Sequence, residues 1–195
     1  MSTMDTEKQA LRQAMKQTLR ALPSTAAGCV GEAVAEHLSS SREWQHANCV
    51  ALFSTLAGEI ETAPVVRLAQ RDGKRLYFPR MIPGFSLEFL HVSDMGSMVN
   101  GRYRVLEPVR ESESKALTSD GLILVPGMAF DRKGGRLGRG AGYYDRALAG
   151  FDRDADRIQL VGVCFSVQLI DAVPMTSADV LMDRVLTQDG FCVTD

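Results

Sequence analysis

The chain has 195 residues, 45% of them hydrophobic, with 22 Lys and Arg against 24 Asp and Glu for a net charge of -2. That length and apolar fraction predict one domain over residues 1–195, and the mild acidity excludes a whole-surface electrostatic footprint for nucleic acid or an anionic membrane. No stretch approaches the roughly 20 apolar residues of a membrane span, and the N-terminus lacks the charged end and apolar run of a leader, so a cytoplasmic location is expected.

From Lys8 onward, Leu11, Met15, Leu19 and Leu22 recur at the spacing of one helix face, and the helix ends at "ALPS". A second helical pattern runs from about Ala26 to Leu38 behind a cap at Ser24 or Thr25. The apolar run "CVALFS" reads as the first buried strand, and "ETAPVVRLAQRDGK" as a helix with Thr62 as its cap, Pro64 in its first turn and Gly73 at its exit. "RLYFP" and "SLEFL" predict short strands, "ESESKALTSD" a polar connector or short helix, and "GLILVP" a strand buried on both faces. A long Gly-rich loop follows. "YYDRALAG" reads as a helix closed by Gly150, and "IQLVGVCF", "DVLMDRVLT" and "FCVTD" as late strands. Strands alternating with helices predict an α/β fold, a three-layer domain with a central, mostly parallel sheet flanked by helices.

Cys29, Cys49, Cys164 and Cys192 lie far apart without a C-x-x-C, and the histidines are scattered, which argues against a zinc site, a redox pair or a disulfide framework. The chemistry concentrates instead in "RLGRGAGYYDR", Arg136 to Arg146, between a buried strand and a helix start. Gly138, Gly140 and Gly142 let the main chain approach a bulky anion, helix-start N–H groups lack intrahelical partners, and Arg136 and Arg139 add forked donors that match phosphate oxygens. Taken alone, such a G-x-G is equally a surface turn that holds arginines. The spacing G-x-G-x-G fits neither the dinucleotide fingerprint nor a P-loop, since Tyr143 and Tyr144 stand where Lys and Ser or Thr would be.

The longer run "LVPGMAFDRKGGRLGRGAGYYDR" resembles the signature of the 5-formyltetrahydrofolate cyclo-ligase (methenyltetrahydrofolate synthetase) family: a strand ending in Pro-Gly, then Phe-Asp, then Arg-Leu-Gly-x-Gly-x-Gly-Tyr-Tyr-Asp. "KQALR", "GEIET", "YFPR", "LEP" and "DVLMDRVLT" have counterparts there too, so the resemblance covers essentially the whole chain. It implies conversion of 5-formyltetrahydrofolate to 5,10-methenyltetrahydrofolate with ATP and Mg2+, through phosphorylation of the formyl oxygen and attack by N10; a monomer is expected, and the charge balance and hydropathy predict no nucleic-acid or membrane partner. Chemistry of that kind needs positioning and charge neutralisation more than a nucleophilic side chain.

By that resemblance, Lys8 and Arg12 bind ATP phosphates from the first helix, and Arg136, Leu137, Gly138, Arg139, Gly140, Ala141, Gly142, Tyr143 and Tyr144 form the nucleotide cradle. Without it, Lys8 and Arg12 are two solvated bases on a surface helix. The resemblance assigns magnesium to Asp145 and Asp183, hard oxygen ligands of the kind that ion takes in ones and twos beside phosphate and water. It assigns folate to Glu59, through the donor edge of the pterin, and to Ser54, a position that is leucine in some relatives. Arg139 and Tyr143 serve both ligands as catalytic contacts. The chain departs from the pattern at Ala141, where relatives carry glycine or lysine, at Arg104, where glycine is usual, and at Gly121, which replaces a polar residue.

Overall fold

The structure, a computed structural model, describes residues 3–110, 116–152 and 155–192. Helix α1, Thr3–Arg20, buries Met15 against Met128, Leu137 and Val173, with Leu11 and Leu19 half-buried beside them, so the predicted stripe is its packed face. Leu22 lies past the helix end and packs on the main core. Helix α2, Ala26–Ser39, turns Val30, Val34, Ala35 and Leu38 inward. A short helix that periodicity does not reveal, α3 (Arg42–His46), is capped by Ser41, whose hydroxyl accepts from Trp44 N at 3.1 Å. In helix α4, Ala63–Arg71, Thr62 occupies the cap position without capping. Its hydroxyl donates instead to Phe53 O at 3.1 Å, which ties the helix start to the segment after the first strand.

The main sheet takes strands β1 (Cys49–Ala51), β2 (Arg75–Ile82) and β3 (Ser86–His91) from the first half of the chain. Two short strands, β4 (Val99–Asn100) and β5 (Leu106–Glu107), pair only with each other. Next come β6 (Gly121–Val125), a second small pair β7 (Ala129–Phe130) and β8 (Arg136–Leu137), then β9 (Gln159–Val163), β10 (Arg184–Thr187) and β11 (Gly190–Cys192). The order across the seven-stranded sheet is β11-β10-β9-β6-β1-β2-β3. The five inner strands are parallel, and β3 and β11 close the edges antiparallel. This is the expected three-layer α/β arrangement.

Strand β6 is buried along its whole length, yet its side chains still alternate. Leu122 and Leu124 join Val34, Leu38, Val65 and Ala69 on the side of α2 and α4. Ile123 and Val125 join Phe130, Leu160 and Leu148, the last from helix α5 (Tyr143–Leu148), on the other. Burial on both faces explains the unbroken apolar run in the sequence.

Two local expectations change. The Gly-rich loop after β6 contains the hairpin β7–β8, whose turn is closed by Asp131, its Oδ1 accepting from Lys133 N and Gly135 N at 2.9 Å. Two-residue strands are too short to alternate visibly. Of "DVLMDRVLT" only Arg184–Thr187 is strand, and the residues before it follow an irregular path. The connector over "ESESKALTSD" falls outside the described residues from 111 to 115, as do the last three residues of "FCVTD". No helix among the described residues is long and apolar enough to cross a membrane.

Candidate active site

Parallel strands deliver their C-terminal ends to one edge of a sheet, and the crevice there is the usual ligand site. Here a cleft of about 660 Å³ opens beyond the ends of β1 and β6, where Phe53, Ser54, Pro126 and Gly127 line it. Lys8 and Arg12 reach it from α1, and Pro79, Met81 and Leu87 from β2 and β3.

The glycine segment forms one wall. Gly140 (φ 109°) and Gly142 (φ 68°) adopt the left-handed region that a side chain resists, and Gly142 leads directly into α5. The main-chain N–H groups of residues 138–142 have no acceptor among the described residues. Five consecutive free donors on a backbone with such turns make an anion-binding concavity. Arg12 Nε donates to Gly138 O at 2.8 Å, and its terminal nitrogens carry no bond to a described residue. The segment is anchored at the far side by Arg146, which donates to Phe85 O at 2.6 Å and also to Ala141 O. Leu137, 1% exposed, packs in the core, so it contributes main chain to the cradle and no side-chain contact.

Around the wall, Arg136, Arg139 and Lys8 are each matched to a carboxylate. Arg136, 4% exposed, donates from Nη2 to Asp145 Oδ1 at 2.8 Å and from Nη1 to Pro126 O at 3.2 Å, so it joins β8, α5 and the end of β6 and is sealed from solvent. Arg139 donates from Nη2 and Nε to Glu59 Oε1 at 2.9 and 3.1 Å, and Glu59 Oε2 accepts from Leu56 N at 2.9 Å. The carboxylate expected to meet the pterin is thus engaged on both oxygens. Lys8 Nζ lies 2.5 Å from Asp179 Oδ2, which also accepts from Thr176 N at 2.6 Å.

Asp183 does not enter the cleft. It precedes β10, and its Oδ2 accepts from Leu160 N at 2.7 Å, near the N-terminal end of β9, the sheet edge opposite the glycine segment. The aspartate of this segment that lines the cleft is Asp179, four positions earlier, alongside Asp145 and Asp5. Sequence reading also missed Arg146; its place next to Tyr-Tyr-Asp was the available signal.

Ser54 lines the cleft, but its hydroxyl donates to Leu106 O at 2.5 Å and so pins the β4–β5 pair to the end of β1. Tyr143 borders the cleft with its ring 5.9 Å from that of Phe85. Tyr144 turns toward the core beside Phe89, with the Arg136 guanidinium 5.6 Å from its ring centre. Burial, helped by the nearby Glu59 charge and opposed by Arg136, pushes its phenol far above the usual range. Tyr144 therefore stays neutral; it packs on Phe89 and also lines the cleft.

Burial would raise the Asp179 carboxyl, but hydrogen bonds from Lys8 and Thr176 outweigh it and hold the group below its ordinary value. A depressed folded value means the stabilisation is present above the unfolded aspartate range, about pH 4, and is lost as pH falls through the folded value. Asp179→Asn is accordingly expected to flatten the acid limb of a urea-midpoint profile below about pH 4 and to leave the slope near neutrality unchanged. An acid limb identical to the parent's would remove Asp179 from that account.

Comparison with known proteins adds an independent line. The model of the 5-formyltetrahydrofolate cyclo-ligase family matches residues 4–188. The 5-formyltetrahydrofolate cyclo-ligase of Escherichia coli K12 is 30% identical over 176 residues, covering 89% of this chain and 96% of that one. The mouse (Mus musculus) protein of the same name is 27% identical, with 96% and 97% covered. Among solved structures, the 5,10-methenyltetrahydrofolate synthetase of Aquifex aeolicus superposes with a TM-score of 0.82 at 28% identity, covering 96% of this chain and 92% of that one.

Proposed function

The chain belongs to the 5-formyltetrahydrofolate cyclo-ligase family, and from that membership we propose how its cleft works. The enzyme is an ATP-dependent cyclo-ligase that converts 5-formyltetrahydrofolate to 5,10-methenyltetrahydrofolate. The formyl oxygen takes the γ-phosphoryl group of ATP, N10 attacks the formyl carbon and gives up its proton, and phosphate departs with that oxygen, leaving ADP. The observation that carries this reading is the row of free N–H donors at residues 138–142 beside the free end of Arg12.

The cleft has two chemically different ends. At the basic end, Arg12, Lys8 and the glycine segment face phosphate oxygens and neutralise charge as the phosphoryl group moves. Lys8 keeps two N–H donors beyond its tie to Asp179. At the other end Pro79, Met81, Leu87 and Tyr143 offer an apolar and aromatic wall for the folate ring. Arg139 spans the two, held by Glu59, so Glu59 acts on folate by positioning a guanidinium whose Nη1 remains unpaired among the described residues. Ser54 shapes the folate side by holding the β4–β5 pair.

Asp145 and Asp179 each commit one oxygen to protein donors and leave the second without a hydrogen bond to a described residue, at the phosphate end of the cleft. That suits Mg2+, which takes one or two carboxylates and fills its shell with phosphate and water. When bound, the ion supplies charge neutralisation to the phosphates. The reading is of one domain acting as a cytoplasmic monomer.

Mixing the purified protein with 5-formyltetrahydrofolate is expected to raise the near-ultraviolet absorbance of methenyltetrahydrofolate only when ATP and magnesium are both present. No rise from a folded protein that binds ATP would assign the cleft to another ATP-activated substrate.

A further inference from the structure

Buried polar groups are almost always hydrogen-bonded, so a buried acceptor without a donor, placed at a cavity, marks where a ligand donor belongs. Three buried side-chain atoms lack a partner among the described residues: Glu107 Oε1, Arg136 Nε and Arg184 Nε. The two arginines each have another nitrogen in an ion pair. Glu107 has none. It is 5% exposed, and neither of its oxygens is hydrogen-bonded to a described residue.

The surroundings hold that carboxyl group in place. Glu107 ends β5, opposite Val99 of β4. A Cβ at Gly101 would stand 2.3 Å from Glu107 Cδ, so the bare backbone of Gly101 makes the room the carboxyl occupies. Glu107 also sits where two cavities meet, the main cleft and an adjoining hollow of about 290 Å³ walled by Met81, Ile82, Pro83, Phe85, Arg102 and Tyr143. Arg102 is exposed and makes no ion pair with Glu107, so among the described residues the carboxylate stands unpaired beside apolar and aromatic side chains and complements a flat heterocycle that carries adjacent N–H donors.

We propose that Glu107 is a specificity-determining residue whose carboxylate accepts the two adjacent N–H groups, amino and ring amide, on the edge of the reduced pterin. The inference rests on the folate reading of this cleft and alters it at one point. Glu59, engaged by Leu56 N and Arg139, is a support, and Glu107 makes the direct contact. The pterin then lies against Tyr143 and Met81 and directs its other end toward Arg12 and the glycine segment.

The test measures KM for each substrate and the melting temperature of free protein, in the parent, Glu107→Gln and Glu107→Leu. Gln keeps the shape but turns an NH2 toward the pterin donors, and Leu removes both acceptors. The expected result is a KM for 5-formyltetrahydrofolate raised at least about tenfold, a KM for ATP within about twofold, and a melting temperature equal to or above the parent's, because the lost carboxyl had no partner to leave behind. A role confined to holding the β4–β5 pair would instead lower the melting temperature and move both KM values together, and that outcome overturns the proposal. So does an unchanged folate KM.

Binding of 5-formyltetrahydropterin, which keeps the donor edge and lacks the tail and N10, is read in parallel as a thermal shift. The shift is expected in the parent and lost in both variants, and equal shifts in all three would overturn the pterin assignment. A parent that binds this probe through Glu107 yet makes no methenyltetrahydrofolate would sink the cyclo-ligase reading and leave the Glu107 contact standing.

Discussion

Arg136→Met is expected to cost about 3–5 kcal/mol of stability, the usual penalty for breaking a buried ion pair by deleting one partner, and to reduce turnover more than about 100-fold. The guanidinium is 4% exposed, and three neighbours depend on it: Asp145, Pro126 O and the ring of Tyr144. Without it, Asp145 is left in a partly buried place with only Val180 N, at 3.4 Å, to donate to it. The glycine wall also loses its backing, since the Arg136 Nη1 lies 3.1 Å from where a Gly138 side chain would begin. Urea unfolding checks the first number and single-turnover formation of methenyltetrahydrofolate the second. Adding Asp145→Leu to the Met variant is expected to recover most of the stability and none of the turnover. Recovery of both would make the pair a packing device alone.

The largest effect expected on catalysis without loss of the fold comes from Arg12→Ala, a fall of about 10²–10³ in kcat/KM for ATP, the scale seen when one charge-stabilising donor is deleted. Arg12 is half-buried on α1 and touches the loop by one bond, Nε to Gly138 O. Its melting temperature should therefore stay close to the parent's. Arg12→Lys should not restore activity, because an ammonium cannot hold the carbonyl with one nitrogen and present two more to phosphate. Full activity in the lysine variant would reduce Arg12 to a point charge.

The sheet was legible because its signal is local: buried runs such as "GLILV" and helix stripes such as Leu11, Met15 and Leu19 declare their period within a few residues. The glycine wall was legible through motif spacing. What escaped depends on where chains meet. "DVLMD" offers two aspartates, and which one reaches the cleft is decided by β10 starting at Arg184. That start commits Asp183 to Leu160 N, while a turn onto Thr176 leaves Asp179 facing Lys8. The pairing of Glu59 with Arg139 spans 80 positions and has no local trace. That Glu107 is buried without a donor is a property of its neighbours' packing and has no counterpart in the residue itself.

The ties made by α1 carry a consequence for how the molecule comes into being. Lys8 meets Asp179 across 171 positions, and Arg12 meets Gly138 across 126. A ribosome that has released the first helix still has nearly the whole chain to make before either tie can close. An isolated helix of this length is marginal in water, so α1 waits without its partners while the strands accumulate behind it. Long-range closure of this kind is the slow part of folding. The phosphate end proposed for the cleft, which draws on both ties, can therefore close only when synthesis is nearly over, together with the sheet itself, whose strands β9, β10 and β11 also follow Gly138 in the chain.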